Sequence, residues 1–101
     1  MTHSAKVWWA SASERGQKAL PPTLRYVALS RFPEDGKQWP DGAWSVEVTF
    51  DEPPPEQGSS DVSSGKVKFL FETAPLERMY PGARFSLYEG PQKVAEVQVL
   101  D

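Results

Sequence analysis

The sequence contains no cysteine and only one histidine among its 101 residues. Without thiols the chain has no disulfide, no thiolate nucleophile and no cysteine-based zinc site. The one histidine, His3, lies in an N-terminal segment that we expect to fray. A Ser-His-Asp triad or a histidine-rich metal site is therefore not expected, and no cofactor or metal is predicted.

Long hydrophobic runs and nucleotide-binding motifs are also missing. No apolar run approaches the roughly 18 residues needed to cross a bilayer, and residues 1–6 open no apolar signal segment. We therefore expect no membrane partner and a cytoplasmic location. A Gly-x-x-x-x-Gly-Lys-[Ser/Thr] loop is absent, which argues against nucleotide hydrolysis.

The charge is acidic overall, with a net value of −3. A negative molecule repels phosphate, so a general nucleic-acid binder is disfavoured. The acid pairs Glu34-Asp35 and Asp51-Glu52 fit no calcium-loop spacing. We interpret them as solvated acids in turns.

Apolar and polar residues alternate in several segments and predict strands with one buried face. In the clearest case, Trp44, Val46, Val48 and Phe50 alternate with polar side chains. The same period of two marks three further sets: Val67, Phe69 and Phe71; Phe85 and Leu87; and Val97 and Val99. Two more strands are predicted at residues 5–12 and 24–32, where strand-forming side chains are common but alternate less regularly.

Turn-forming dipeptides separate these segments and leave little room for helices. Examples are Pro21-Pro22, Asp41-Gly42, Pro81-Gly82 and Gly90-Pro91. One helical turn is expected at residues 74–79, where Leu76 and Met79 would cap the barrel. A closed barrel leaves no exposed sheet edge in so small a chain. We therefore predict one all-β domain over residues 1–101, a six-stranded antiparallel closed β-barrel.

Residues 52–64 are rich in proline, serine and acids and show no periodicity. They are predicted to form a long flexible loop. Such a loop is either a tolerated surface insertion, because extra length adds little closure entropy, or a functional segment. Pro54 and Pro55 are the candidate contact residues in the second interpretation.

Three of the four tryptophans are candidate binding residues. Trp8 and Trp9 are adjacent in a predicted strand, and adjacent strand positions point to opposite faces. One indole should therefore leave the core, either to lie under a loop or to bind a partner. Trp39 follows in a predicted loop, where it is either an exposed binding anchor or a plug for the barrel's end.

The last hairpin resembles that of a known family. Residues 84–90, Arg-Phe-Ser-Leu-Tyr-Glu-Gly, are similar to the Arg-Phe-Ala-Ile-Arg-Glu-Gly of the C-terminal (third) β-barrel domain of bacterial elongation factor Tu. Residues 92–97 are similar to the segment that follows it there. Residues 6–9 and 14–18 are similar to that barrel's first strand and its Glu-Gly-Gly-Arg-His loop. The resemblance implies a Greek-key barrel, standing here without the family's GTPase domain.

In that family the barrel contacts the T-stem of transfer RNA. The resemblance therefore implies RNA contacts at Gln17 and Lys18 in the first loop and at Glu89 and Gly90 in the last hairpin. The sequence departs from the family where Gln17 replaces a loop arginine and Pro91 replaces the hairpin's second glycine. These departures remove a phosphate donor and some backbone freedom. A shared barrel also does not by itself imply a shared role.

The surplus of aromatic side chains in loops favours a non-enzymatic module that binds another protein. Its expected surface comprises Trp39, Trp8 or Trp9, and the proline-rich loop. The alternatives are a translation-associated RNA-binding module, as the resemblance implies, and an immunity-type antagonist of a basic protein, as the acidic charge suggests. A fourth interpretation is an enzyme whose site is built from Asp, Glu, Arg and Tyr on the barrel rim.

Overall fold

Six strands form the framework of the computed structural model, which describes residues 2–11, 13–15, 20–54 and 61–101. The strands are β1 (His3–Trp9), β2 (Arg25–Arg31), β3 (Ser45–Phe50), β4 (Val62–Phe69), β5 (Arg84–Glu89) and β6 (Gln92–Val99). Of the 3₁₀ helices, η1 (Pro33–Gln38) and η2 (Leu76–Arg78) lie wholly within the described ranges. No helix in the described ranges is long and apolar enough to cross a membrane.

The strands pair in the order β1-β4-β3-β2-β5-β6, and β6 pairs back with β1. Every pairing is antiparallel. Because β2, β3 and β4 are successive neighbours and β1 lies beside β4, the topology is a Greek key. The predicted all-β, six-stranded antiparallel closed barrel is confirmed.

Alternate side chains of each strand fill the barrel, as the period of two requires. Eight of them are completely inaccessible to solvent: Val7, Ser30, Val46, Val48, Val67, Leu87, Val97 and Val99. Strands β3 and β4 approach most closely at Gly65. A Cβ atom there would lie 2.5 Å from the Thr49 carbonyl oxygen and 2.9 Å from the Phe50 Cα. Only glycine therefore fits at this position without a backbone shift.

Aromatic clusters close both ends of the barrel. At one end Trp9 packs against Tyr26 and Phe50, with ring centroids 5.8 and 5.9 Å apart. At the other end Phe32 stacks on Phe85 at 4.3 Å. These contacts bury large apolar rings where the strand ladder alone would leave the core open to water.

A buried ion pair connects η1 to η2. Asp35 is only 3% exposed, and its Oδ1 accepts a hydrogen bond from Arg78 Nη1 at 2.9 Å. Its Oδ2 accepts a second hydrogen bond from the Phe32 backbone N–H at 2.8 Å. The interpretation of Asp35 as a solvated turn acid is therefore wrong. This carboxylate instead joins two loops that are 43 residues apart in sequence.

Several predicted boundaries are wrong. The predicted loop at residues 52–64 ends earlier, because Val62, Ser63 and Ser64 belong to β4 and pair with β1. Trp44 precedes β3, and Phe71 lies beyond β4 with 55% of its surface exposed.

Two other local predictions need correction. The expected helical turn is the shorter η2, and of the two predicted capping residues Met79 is buried whereas Leu76 is exposed. His3 does not fray, because it begins β1 and its Nδ1 donates to the Asp101 carbonyl oxygen at 2.9 Å.

Candidate partner-binding groove

One row of outward-facing side chains crosses four neighbouring strands of the barrel wall. Arg31 on β2 lies opposite Ser86 on β5, Ser86 lies opposite Glu96 on β6, and Glu96 lies opposite Trp8 on β1. At the usual strand spacing the row is about 14 Å long. Barrel closure therefore brings together side chains from both ends of the sequence.

A groove of about 420 Å³ lies along this wall, and we call it the β5 groove. Its lining residues are Arg31, Phe32, Pro33, Arg84, Phe85, Ser86, Tyr88, Lys93 and Glu96. A smaller hollow of about 190 Å³ adjoins it, shares Lys93 and Glu96, and is lined by Trp8 and Glu14. The two depressions form one continuous surface from β2 to β1.

Trp39 lies on the outer wall beside the β5 groove and is half-buried. Its indole N–H donates to the Ser30 carbonyl oxygen at 2.8 Å, and its ring packs on Tyr88 with centroids 4.5 Å apart. The guanidinium of Arg31 lies over the ring, 5.1 Å from its centroid. Trp39 is thus neither a plug in the barrel's end nor a free side chain, but a fixed part of the groove's border.

Trp8 and Trp9 separate as the alternation requires. Trp9 points inward, is 6% exposed, and donates from its indole nitrogen to the Ser63 hydroxyl at 2.8 Å. Trp8 points outward and is half-buried, and the Arg84 guanidinium lies 5.2 Å from its ring centroid. The Trp9 indole is therefore part of the core, whereas Trp8 borders the same wall as Trp39.

The charges of the groove are unevenly paired. Lys93 Nζ lies 2.5 Å from Glu96 Oε1, which also accepts a hydrogen bond from the Ser86 hydroxyl at 3.0 Å. The hydrogen bond that Lys93 donates to Glu96 raises the pKa of Lys93, although partial burial opposes the shift. Arg31 and Arg84, by contrast, make no ion pair with any carboxylate of the described residues. The groove thus carries two cations whose charge is not balanced locally.

The proline candidates are not supported as contacts. Pro54 is fully buried, so its ring is unavailable to a partner. Pro55 lies outside the described residues. Of the predicted partner surface, Trp39 and Trp8 lie on the same wall, beside Arg31 and Arg84 respectively, while Trp9 and Pro54 are buried.

Two of the positions implied by the elongation factor resemblance, Glu89 and Gly90, lie at the end of the barrel that Trp9 closes. Glu89 ends β5 and accepts a hydrogen bond from the Tyr26 hydroxyl, and Gly90 occupies the following turn with a φ of 59°. Burial, and then the hydrogen bond to Glu89, raise the pKa of Tyr26 strongly. Gln17 and Lys18 lie outside the described residues. Glu89 therefore has a structural partner of its own.

The sequence interpretation missed most of the groove. Arg84, Tyr88, Lys93 and Glu96 were not singled out, although their outward positions follow from the strand alternation. The missing information was the strand order, because β2, β5, β6 and β1 become neighbours only in the closed barrel. Within the described ranges, no group of three His, Cys, Asp or Glu side chains could hold a metal ion.

Comparison with protein families and with curated proteins adds no relative. No protein-family model matches the chain, and no curated protein matches it either.

Proposed function

We propose that this barrel is a non-enzymatic module that binds another protein through the β5 groove. The observation that carries the proposal is that two half-buried tryptophans and two arginines lie on one wall, and that neither arginine forms an ion pair with a carboxylate of the described residues. Trp, Tyr and Arg are the residues that dominate binding energy at protein interfaces. Tyr88 adds a third aromatic ring to this wall.

The rigidity of the surface supports the same proposal. Trp39 is held by a hydrogen bond to Ser30 and by contact with Tyr88, so its position does not have to be ordered when a partner arrives. Immobilising a mobile side chain costs about 0.5–1.5 kcal/mol on association, and a side chain that is already fixed avoids this cost. A cytoplasmic location is part of the proposal and is supported by the absence of cysteine.

Site-specific photo-cross-linking in the native cells tests the proposal. A benzophenone amino acid is placed at Pro33, which is exposed at the rim of the groove, and in a matched control at Thr49 on β3. In the ring of six strands β3 lies opposite β6, so the control samples the far wall. We expect discrete protein adducts from position 33 and none from position 49. Equal labelling from both positions, or none from position 33, would contradict the proposal.

The same experiment separates the alternative functions. Ribonuclease-sensitive adducts at position 33 would favour the RNA-binding module that the resemblance implies. Adducts to a basic protein from position 49 alone would favour the immunity-type interpretation, because they would show a basic partner bound outside the groove.

A further inference from the structure

Resting on the proposed function, we infer that the partner presents a short acidic segment whose Asp or Glu carboxylates bind Arg31 and Arg84. Both guanidinium groups line the β5 groove. Neither forms an ion pair with a carboxylate of the described residues. Both guanidinium groups are therefore available to bind carboxylates of a partner.

The two arginines are held in position by aromatic rings. The Arg31 guanidinium lies over Trp39 at 5.1 Å, and that of Arg84 lies over Trp8 at 5.2 Å. A guanidinium stacked on a ring keeps its N–H edges free, and their planar fork matches a carboxylate with two parallel hydrogen bonds. Stacking therefore fixes the group without using up its donors. Arg84 makes one further contact, a long hydrogen bond of 3.3 Å to Gln98.

The charge around the groove favours an acidic ligand. The Lys93–Glu96 pair is neutral as a unit, so Arg31 and Arg84 leave the groove locally positive on a chain whose net charge is −3. A basic segment would be repelled in the groove, and an acidic one would be guided into it from the negative surroundings. Charge complementarity therefore favours a ligand that carries carboxylates.

The same geometry disfavours a nucleic acid. Single-stranded nucleic acids bind by stacking their bases on open aromatic faces. A guanidinium covers one face of Trp39 and of Trp8, and Trp39 also packs on Tyr88. A ligand therefore meets the N–H edges of the two arginines, and it does not find two open indole faces on which bases could stack.

The dimensions favour a short segment of chain. The outward row from Arg31 to Trp8 spans about 14 Å, and an extended chain advances about 3.3 Å per residue. Four or five residues would cross the wall. Such a segment can place a carboxylate near each arginine and an apolar side chain beside an exposed edge of Trp8 or Trp39.

Titration with synthetic peptides tests the inference. The probe is Gly-Glu-Glu-Asp-Glu-Gly, followed by ¹H–¹⁵N chemical shifts of the intact protein, with Gly-Gln-Gln-Asn-Gln-Gly as the uncharged control. We expect the acidic peptide alone to shift the indole N–H signals of Trp8 and Trp39. The double variant Arg31→Gln, Arg84→Gln should weaken binding at least tenfold.

A matched variant separates a specific site from general attraction. Arg25→Gln with Lys66→Gln removes the same two charges outside the groove, on strands β2 and β4. It should weaken binding less than twofold. Equal weakening by both double variants, or binding of the uncharged peptide as tightly as the acidic one, would overturn the inference.

Two further results would overturn the inference, and the second of them would leave the proposed function standing. If the groove binds a ten-nucleotide thymidine strand in preference to the acidic peptide, the ligands of Arg31 and Arg84 are phosphates and not carboxylates. Undiminished protein cross-linking from position 33 in the Arg31→Gln, Arg84→Gln variant would show a protein partner that does not use these arginines. Both proposals are supported if the unsubstituted protein binds the acidic peptide and the Arg31→Gln, Arg84→Gln variant loses the cross-links from position 33.

Discussion

The buried carboxylate of Asp35 provides the sharpest test of how this barrel is stabilised. Asp35→Ala removes the partner of Arg78, whose side chain is only 18% exposed. It also removes the acceptor of the Phe32 backbone N–H. Breaking a buried ion pair by deleting one member destabilises a protein by about 3–5 kcal/mol, because the remaining charge stays buried without compensation. We expect a loss of this size in the free energy of unfolding.

Urea unfolding followed by tryptophan fluorescence measures this loss. For a domain of about this size, 1 kcal/mol corresponds to about 4–8 °C in Tm, so a loss of 3 kcal/mol lowers Tm by at least about 12 °C. The control is Glu34→Ala, the exposed preceding acid, which should change the free energy of unfolding by less than about 0.5 kcal/mol. Equal effects of the two substitutions would refute the assignment of Asp35 as a buried structural anion.

A double substitution tests the physical reason. Asp35→Leu combined with Arg78→Met replaces both charges by apolar side chains, so no orphaned ion remains. The double variant should be more stable than Asp35→Ala alone. If it is not, the cost of Asp35→Ala comes from lost packing or from the Phe32 N–H that both variants leave without its acceptor, and not from an unpaired charge.

Two other stability predictions concern the core. Gly65→Ala should lower the free energy of unfolding by about 1–3 kcal/mol or more, because the added methyl group meets backbone atoms of Thr49 and Phe50 that cannot rotate away. Thermal unfolding measures this loss, with a substitution of the exposed neighbour, Lys66→Ala, as the control. Equal Tm values for the two variants would contradict the prediction. Trp9→Phe should cost about 1–3 kcal/mol in urea unfolding, because it leaves the buried Ser63 hydroxyl without its indole donor. The outward-facing Trp8→Phe is its control, and an equal loss there would argue against a specific role for the buried hydrogen bond.

The position of Asp35 also links stability to the groove. Asp35 lies in η1, the helix that Trp39 follows, and Arg31 and Phe32 immediately precede that helix. The ion pair to Arg78 therefore fixes the segment that carries one border of the groove. Part of the binding surface thus depends on a contact that lies outside it.

The strand pattern was largely determined by local sequence. Regular alternation around Val46 and Val48 is enough to predict a half-buried strand, because a buried face needs an apolar side chain at every second position. The opposite directions of Trp8 and Trp9 follow from the same geometry. Strand ends were less certain, since residues such as Val62 join a ladder only when a partner strand lies beside them.

The candidate groove depended on the tertiary structure. Arg31 and Arg84 meet on one wall because closure places β2 beside β5, and no local pattern specifies that neighbour. Asp35 is buried because Arg78, far along the chain, supplies the opposite charge. Local sequence by itself determined which residues form strands and which side of each strand faces inward, because both depend on the period of two. Only the tertiary structure decided which outward side chains share a surface, because long-range strand order depends on the packing of the whole barrel.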